Sequence, residues 1–130
     1  MRAGLFSITL EDITMKEIAK SINYNGKELK LVFNLNVMEA IQDAYGTIDK
    51  WSELTDGEHG EVNIKALIFG FKEMLNEGIE IENEEHDTSE PLFTAKQVGR
   101  IISNIGVAET TASMQGVVID SVKDESGKNA

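Results

Sequence analysis

The dipeptide Asn25-Gly26, set between two alternating apolar segments, constrains this chain more than any other feature. A type I′ turn needs φ > 0 at both central residues, and asparagine and glycine adopt it at low cost. With the turn placed there, Ile22 faces Leu29 and Ile18 faces Phe33. Tyr24 and Leu31 lie on that same side, while Glu28 and Lys30 face out. A slip of one residue would send every apolar side chain into water, so turn and pattern specify one register. After Leu35 the apolar spacing changes to that of a helix. Asn36 is placed as the N-cap, with Glu39 three residues on as in a capping box. Val37, Met38, Ile41, Ala44 and Tyr45 make one broad face, and Gly46 stands where a left-handed terminator belongs. A lone hairpin is marginal, so the rest of the chain must cover it.

Further along, Ile48, Trp51 and Leu54 recur at helical spacing, predicting a short second helix over residues 47–54 with Trp51 as a core anchor. Residues 55–61, TDGEHGE, read as a loop. Asn63 opens a helix whose buried stripe is Ile64, Leu67, Ile68, Phe71, Met74 and Leu75, with Gly78 as its end. Phe69 points away from that stripe, among Lys65, Lys72 and Asn76. Packing on a second neighbouring helix is the preferred account of it, ahead of an exposed partner contact. From Glu73 to Glu90 there are eight carboxylates and no lysine or arginine, −8 of the chain's net −11. Like charges this dense repel, so residues 79–91 are predicted to form a solvated, mobile acidic loop ending at Pro91. Thr94 caps the next helix with Gln97 at its third position; Val98, Ile101, Ile102 and Ile105 make its buried face and Gly106 ends it. Met114, Val117, Val118 and Val122 suggest a last helix over residues 108–122, although Gly116 and the β-branched run after it weaken helix propensity. A polar tail, residues 123–130, is predicted to be disordered. For residues 1–15 a short strand, a docked arm and a frayed terminus all stay open.

The fold class expected is α+β and mostly α-helical, with an N-terminal β-hairpin packed on a small bundle of four to five helices. At 130 residues this is one domain. The net charge of −11 argues against nucleic acid or an anionic membrane as partner. Without cysteine there is no disulfide framework or thiolate, which suits a reducing compartment. The apolar run near the N-terminus is too weak for a signal peptide, Arg2 excludes a myristoyl acceptor, and no apolar run approaches the ~18 residues of a spanning helix. The expected location is the cytoplasm.

Chemistry is thinly represented. His59 and His86 both fall in segments read as polar loops, and the nucleophile-elbow, phosphate-loop and paired-histidine zinc motifs are missing from the sequence. Glu84-Glu85-His86-Asp87 holds the residue types of a divalent-cation site, but adjacent loop residues do not converge and the EF-hand spacing is missing, so a solvated charge run is preferred. Asp56, Glu58, His59 and Glu61 read as a turn. No catalytic residue, metal or cofactor is expected, and the chain is predicted not to be an enzyme. Interaction signals are stronger. Glu80, Glu82, Glu84, Glu85, Asp87 and Glu90 can steer a basic partner, Phe69 adds apolar contact surface, and the hairpin edge can pair with another strand.

The segment NGKELKLVFNLNVMEAIQDAYGTIDKW resembles the opening of the tail assembly chaperones of siphophages and related prophages, in which a short hairpin leads into a helix ending in Tyr-Gly or Phe-Gly. The matching positions are Asn25, Gly26, Lys27, Leu29, Leu31, Phe33, Leu35, Asn36, Tyr45 and Gly46, and a short helix with Trp51 follows. Later, LFTAKQVGRIIS is similar to the family's T-x-E-E-V-G-x-L-I order at Thr94, Val98, Gly99, Ile101 and Ile102. The resemblance covers about residues 16–106 and rests on fold-determining residues rather than a catalytic signature. It implies a non-catalytic protein, absent from the mature virion, that binds the tape measure protein and helps recruit tail tube subunits, with self-association also open. The alternative is a tail completion or connector protein retained in the particle.

Overall fold

The computed structural model describes residues 18–129, with side chains over residues 20–121. The expectation for residues 1–15 lies outside the described residues. Strands β1 (Ile18–Tyr24) and β2 (Lys27–Phe33) form an antiparallel ribbon in the expected register, Ile18 opposite Phe33 and Ile22 opposite Leu29. Asn25 (φ 53) and Gly26 (φ 76) make the turn. Ile22, Leu29, Leu31 and Phe33 are buried on one face. Val32, on the other face, is buried as well, so the open end of the ribbon is covered on both sides.

Helix α1 (Leu35–Tyr45) begins two residues earlier than the pattern suggested. Its N-cap is Asn34, in extended conformation, whose side chain accepts from the Val37 amide at 3.2 Å. Asn36 is therefore not the cap, and it lies in the first turn instead. There its Nδ2 donates to Glu77 at 3.0 Å, beside the Asn34 Nδ2 contact to the same carboxylate oxygen at 2.7 Å. The apolar alternation stops at Phe33, and Leu35 is 59% exposed, which frees Asn34 to cap. Gly46, at φ 92, ends the helix with its amide on the Gln42 carbonyl. Thr47 then caps α2 (Ile48–Thr55).

Helix α3 (Ile64–His86) is the longest surprise. It has 23 residues and runs through Gly78 rather than ending there. Gly78 is buried because β2 passes directly over it: a Cβ would lie 2.9 Å from the Lys30 carbonyl oxygen and 3.6 Å from Val32 Cγ2. The glycine serves close packing, not termination. Residues 79–86, expected in the acidic loop, are thus the last two turns of α3, and the helix ends at Asp87 in the left-handed region (φ 54). Helix α4 (Ala95–Ile105) carries the full capping box of Thr94 and Gln97, and Gly106 (φ 104) ends it. Helix α5 (Val107–Asn129) continues past Val122, so residues 123–129 are helical rather than a disordered tail.

One core is shared by both strands and all five helices, with Phe33, Ile41, Trp51, Leu67, Phe71, Met74, Val98, Ile101, Met114 and Val117 all within it. Helix α5 buries Thr110, Thr111, Ser113 and Ser121 beside Met114 and Val117. Thr110 and Ser121 return their hydroxyls to the carbonyls four residues earlier, at 2.8 and 3.0 Å, which lets small polar residues line a packed face. Among the described residues no helix is long and apolar enough to cross a membrane.

Candidate functional site

At about 100° per residue, Lys65, Phe69, Lys72, Asn76 and Asn83 share one face of α3. The two asparagines clamp the segment that returns from α3 to α4. Asn83 accepts from the Glu90 amide at 2.9 Å and donates to the Glu90 carbonyl at 3.0 Å, while also accepting from the Thr88 hydroxyl. Two turns earlier, Asn76 accepts from the Phe93 amide at 2.8 Å and donates to the Phe93 carbonyl at 3.0 Å. Each side-chain amide matches one residue's N–H and C=O, as a neighbouring strand would. The returning segment is therefore stitched along α3 rather than free in solvent. Nothing in the sequence pattern flags this, because the partners of the asparagines are backbone atoms.

Past Asn76 the returning chain turns into α4 and leaves the face open. There Ile64, Ile68, Phe69 and Ala95 line a groove of about 440 Å³ together with Lys65 and Lys72, which follow one row of α3 between Ile68 and Phe69. Phe69 is half-buried, edge-to-face with Tyr45 of α1 at a ring separation of 5.6 Å and 69°. It packs on a second helix, as expected, and still offers part of its ring to the groove. Ile64, counted in the buried stripe from its spacing, is 51% exposed and belongs to the groove instead. It sits in the first turn of α3, ahead of the point where α4 and β2 cover the stripe. Burial raises the Tyr45 phenol above its ordinary range.

The carboxylates lie elsewhere. Glu80 is about 16 Å from Phe69 along the helix axis at the standard rise per residue. Glu84, Glu85, Asp87 and Glu90 are exposed on the end of α3 and the segment after it. The structure does not bring Phe69 and this acidic set together. Glu82 is engaged within the molecule: the Lys30 ammonium meets its Oε2 at 2.8 Å, and His86 Nε2 lies 3.2 Å from its Oε1. The Lys30 hydrogen bond, then the Lys30 charge, hold the Glu82 carboxyl below the usual carboxylate range, with His86 adding to the effect.

Glu82, Glu85 and His86 offer ligand atoms within 4.8 Å of one another along one helical edge. This differs from the run Glu84-Glu85-His86-Asp87, since helical spacing groups the third and fourth neighbours rather than adjacent residues. One oxygen of Glu82 is already held by Lys30, and that pair ties α3 to β2. In the loop after α2, Asp56 accepts from the Glu58 amide at 2.8 Å and meets His59 Nδ1 at 2.9 Å. The Glu58 amide leads the causes that lower the Asp56 carboxyl. These contacts lock a turn around Gly57, as the pattern suggested.

Asn25, Gly26, Phe33, Gly46 and Trp51 hold the turn, cap and core positions assigned to them. No family model, curated protein or solved structure matches the chain.

Proposed function

We propose that this protein is a non-catalytic phage tail assembly chaperone, which binds a tape measure protein and helps recruit tail tube subunits around it. The observation that carries the reading is the role of the residues on which the family resemblance rests. Asn25 and Gly26 form the turn, Leu29, Leu31 and Phe33 the buried face of β2, and Gly46 the stop of α1. Thr94 caps α4, and Val98, Ile101 and Ile102 make its buried face. These positions form a hairpin-to-helix unit and, further along the chain, a capped helix that packs on α3 and α5 within the same core, in the order the resemblance requires.

The surfaces on offer also suit a binding role. An apolar groove lies at one end of α3 and a dense carboxylate patch at the other. A tape measure protein is a long helical chain with apolar surface, which aggregates unless covered before the tube closes on it. The test is co-expression with the long, helix-rich protein encoded beside this one, followed by size-exclusion chromatography. Co-elution of a solubilised long protein is expected. If that protein stays insoluble and this chain assembles into rings alone, the particle-component reading replaces the chaperone.

A further inference from the structure

We propose that the groove between α3 and the start of α4 docks an acidic amphipathic helix of another protein. The apolar ridge of that helix enters between Ile64, Ile68 and Phe69, and its flanking carboxylates meet Lys65 and Lys72. This deepens the chaperone reading and rests on it, since it names the contact surface and the chemistry of the bound segment.

Charge is the first argument. Acidic residues outnumber basic ones 23 to 12 in the whole chain, yet residues 62–72 hold two lysines and no carboxylate; the adjacent Glu73 carboxylate lies 3.9 Å from the Lys72 ammonium and offsets part of its charge. The next eighteen residues, 73–90, reverse this completely, with eight carboxylates and no lysine or arginine. Helix α3 is thus cationic and grooved at its start and anionic at its end, and its own macrodipole is positive at the same start. Such a groove selects against the surface that covers most of this molecule and favours carboxylates on a partner.

Geometry is the second argument. Lys65 and Lys72 are two turns apart, about 10 Å along the axis. Carboxylates two turns apart on an aligned helix match that spacing, while the apolar ridge beside them packs on Ile64, Ile68 and Phe69, the usual mode of helix-in-groove recognition. Ile64, 51% exposed in the first turn of the central helix, is open to a partner from outside the fold. Further along the same face of α3, Asn76 and Asn83 already seat a segment of the chain itself. A second copy of this protein is poorly suited as occupant. The Asn76 and Asn83 face of its anionic helix end is covered by the clamped segment and its Glu82 is held by Lys30, which leaves Glu80, Glu84 and Glu85 as the exposed carboxylates of that helix.

The test is an amide-resolved NMR titration of the full chain with two synthetic helical peptides. Both carry the same leucine ridge, one flanked by glutamates and the other by lysines. The glutamate-flanked peptide is expected to shift the amides of Ile64 to Lys72 and Ala95, with affinity falling as salt rises. The double variant Lys65→Glu, Lys72→Glu is expected to weaken it about tenfold, from loss and reversal of two surface pairs. Shifts centred elsewhere, equal binding of the lysine-flanked peptide, or no shift would each overturn the proposal. Concentration-dependent shifts of the same amides without peptide would assign the groove to a second copy and overturn it too. The two readings fail separately. A groove that takes the peptide while the tape measure protein stays insoluble breaks the chaperone reading alone. Co-elution undiminished by the double variant breaks the groove assignment alone.

Discussion

Trp51 donates its indole Nε1–H to the Ala66 carbonyl at 3.0 Å, and its ring lies on the bare Cα of Gly70 one turn further along α3. An added Cβ at Gly70 would sit 2.8 Å from Cε2 and 3.0 Å from Nε1, and closer still to Cζ2. The contact docks the eight-residue α2 on the central helix. It also satisfies the one polar atom of an indole that is only 1% exposed.

Glycines inside helices are therefore expected to separate by what lies opposite them. Alanine in a helix interior is worth up to about 1 kcal/mol over glycine. Gly70→Ala meets a rigid ring and Gly78→Ala a backbone carbonyl, so each should lose about 1–3 kcal/mol to overpacking. Gly99→Ala meets only Ile68 Cδ1 at 3.6 Å, ordinary contact, and should raise stability by about 0.5–1 kcal/mol. Urea unfolding of the three variants checks the ordering; equal effects would mean the close approaches are not there.

The hairpin turn gives a purely conformational test. A Cβ at Gly26 touches nothing within 4 Å, but the residue sits at φ 76. Gly26→Val should then cost about 1 kcal/mol or more from backbone strain alone. An unchanged melting temperature would rule out the type I′ turn.

Asn76 and Asn83 predict a local effect. Asn76→Ala removes two partly buried hydrogen bonds to Phe93 and should cost about 1–2 kcal/mol. Asn83→Ala, in an exposed setting, should cost less while releasing the Glu90 amide. Hydrogen exchange reads this directly: the Phe93 amide should lose protection in the first variant and the Glu90 amide in the second. Protection retained in both would remove the clamp.

The Lys30–Glu82 pair sets an acid-side dependence. The folded-state carboxyl of Glu82 is depressed, so its contribution is present above the unfolded value, about 4.3, and is lost as pH falls through the lower folded value. Lys30→Met should accordingly be less stable than the parent at neutral pH, with the difference closing below about pH 4. Both partners are well exposed, so the effect is small and should shrink with salt. Urea midpoints measured across pH for the two proteins would show the gap closing; a gap constant down to acid pH would mean the pair is not its source.

Thr111 carries a buried hydroxyl without a hydrogen-bond partner within the protein, at the edge of a depression of about 520 Å³ beside Val62 and Val107. Replacing an unsatisfied hydroxyl by a methyl removes a desolvation cost of about 1 kcal/mol or more. Thr111→Val should leave stability unchanged or raise it by about that amount. A clear loss would indicate that the hydroxyl is bonded in solution.

Local signals alone determined much of this protein. The turn at Asn25-Gly26, the stops at Gly46 and Gly106, and the box of Thr94 and Gln97 each depend on residues within four positions of one another, and the register follows from that turn and the apolar alternation on either side of it. The angular position of Phe69 was legible for the same reason, since helical geometry needs only a count of residues. What tertiary structure decided involves partners far along the chain. Gly78 looked like a helix end, because only the passage of Lys30 over it gives an interior glycine a use. The carboxylate run looked like a free loop, because Lys30, 52 positions from Glu82, supplies a counter-charge that proximity in sequence does not reveal. The segment after α3 is held by asparagines reading backbone atoms, which carry no sequence signature. Asn36 lost the cap to Asn34 by two positions, since both are good caps and only the end of strand pairing at Phe33 decides where the helix starts. The groove itself arises where α4 leaves α3, and a departure between two helices is a property of packing, not of either helix alone.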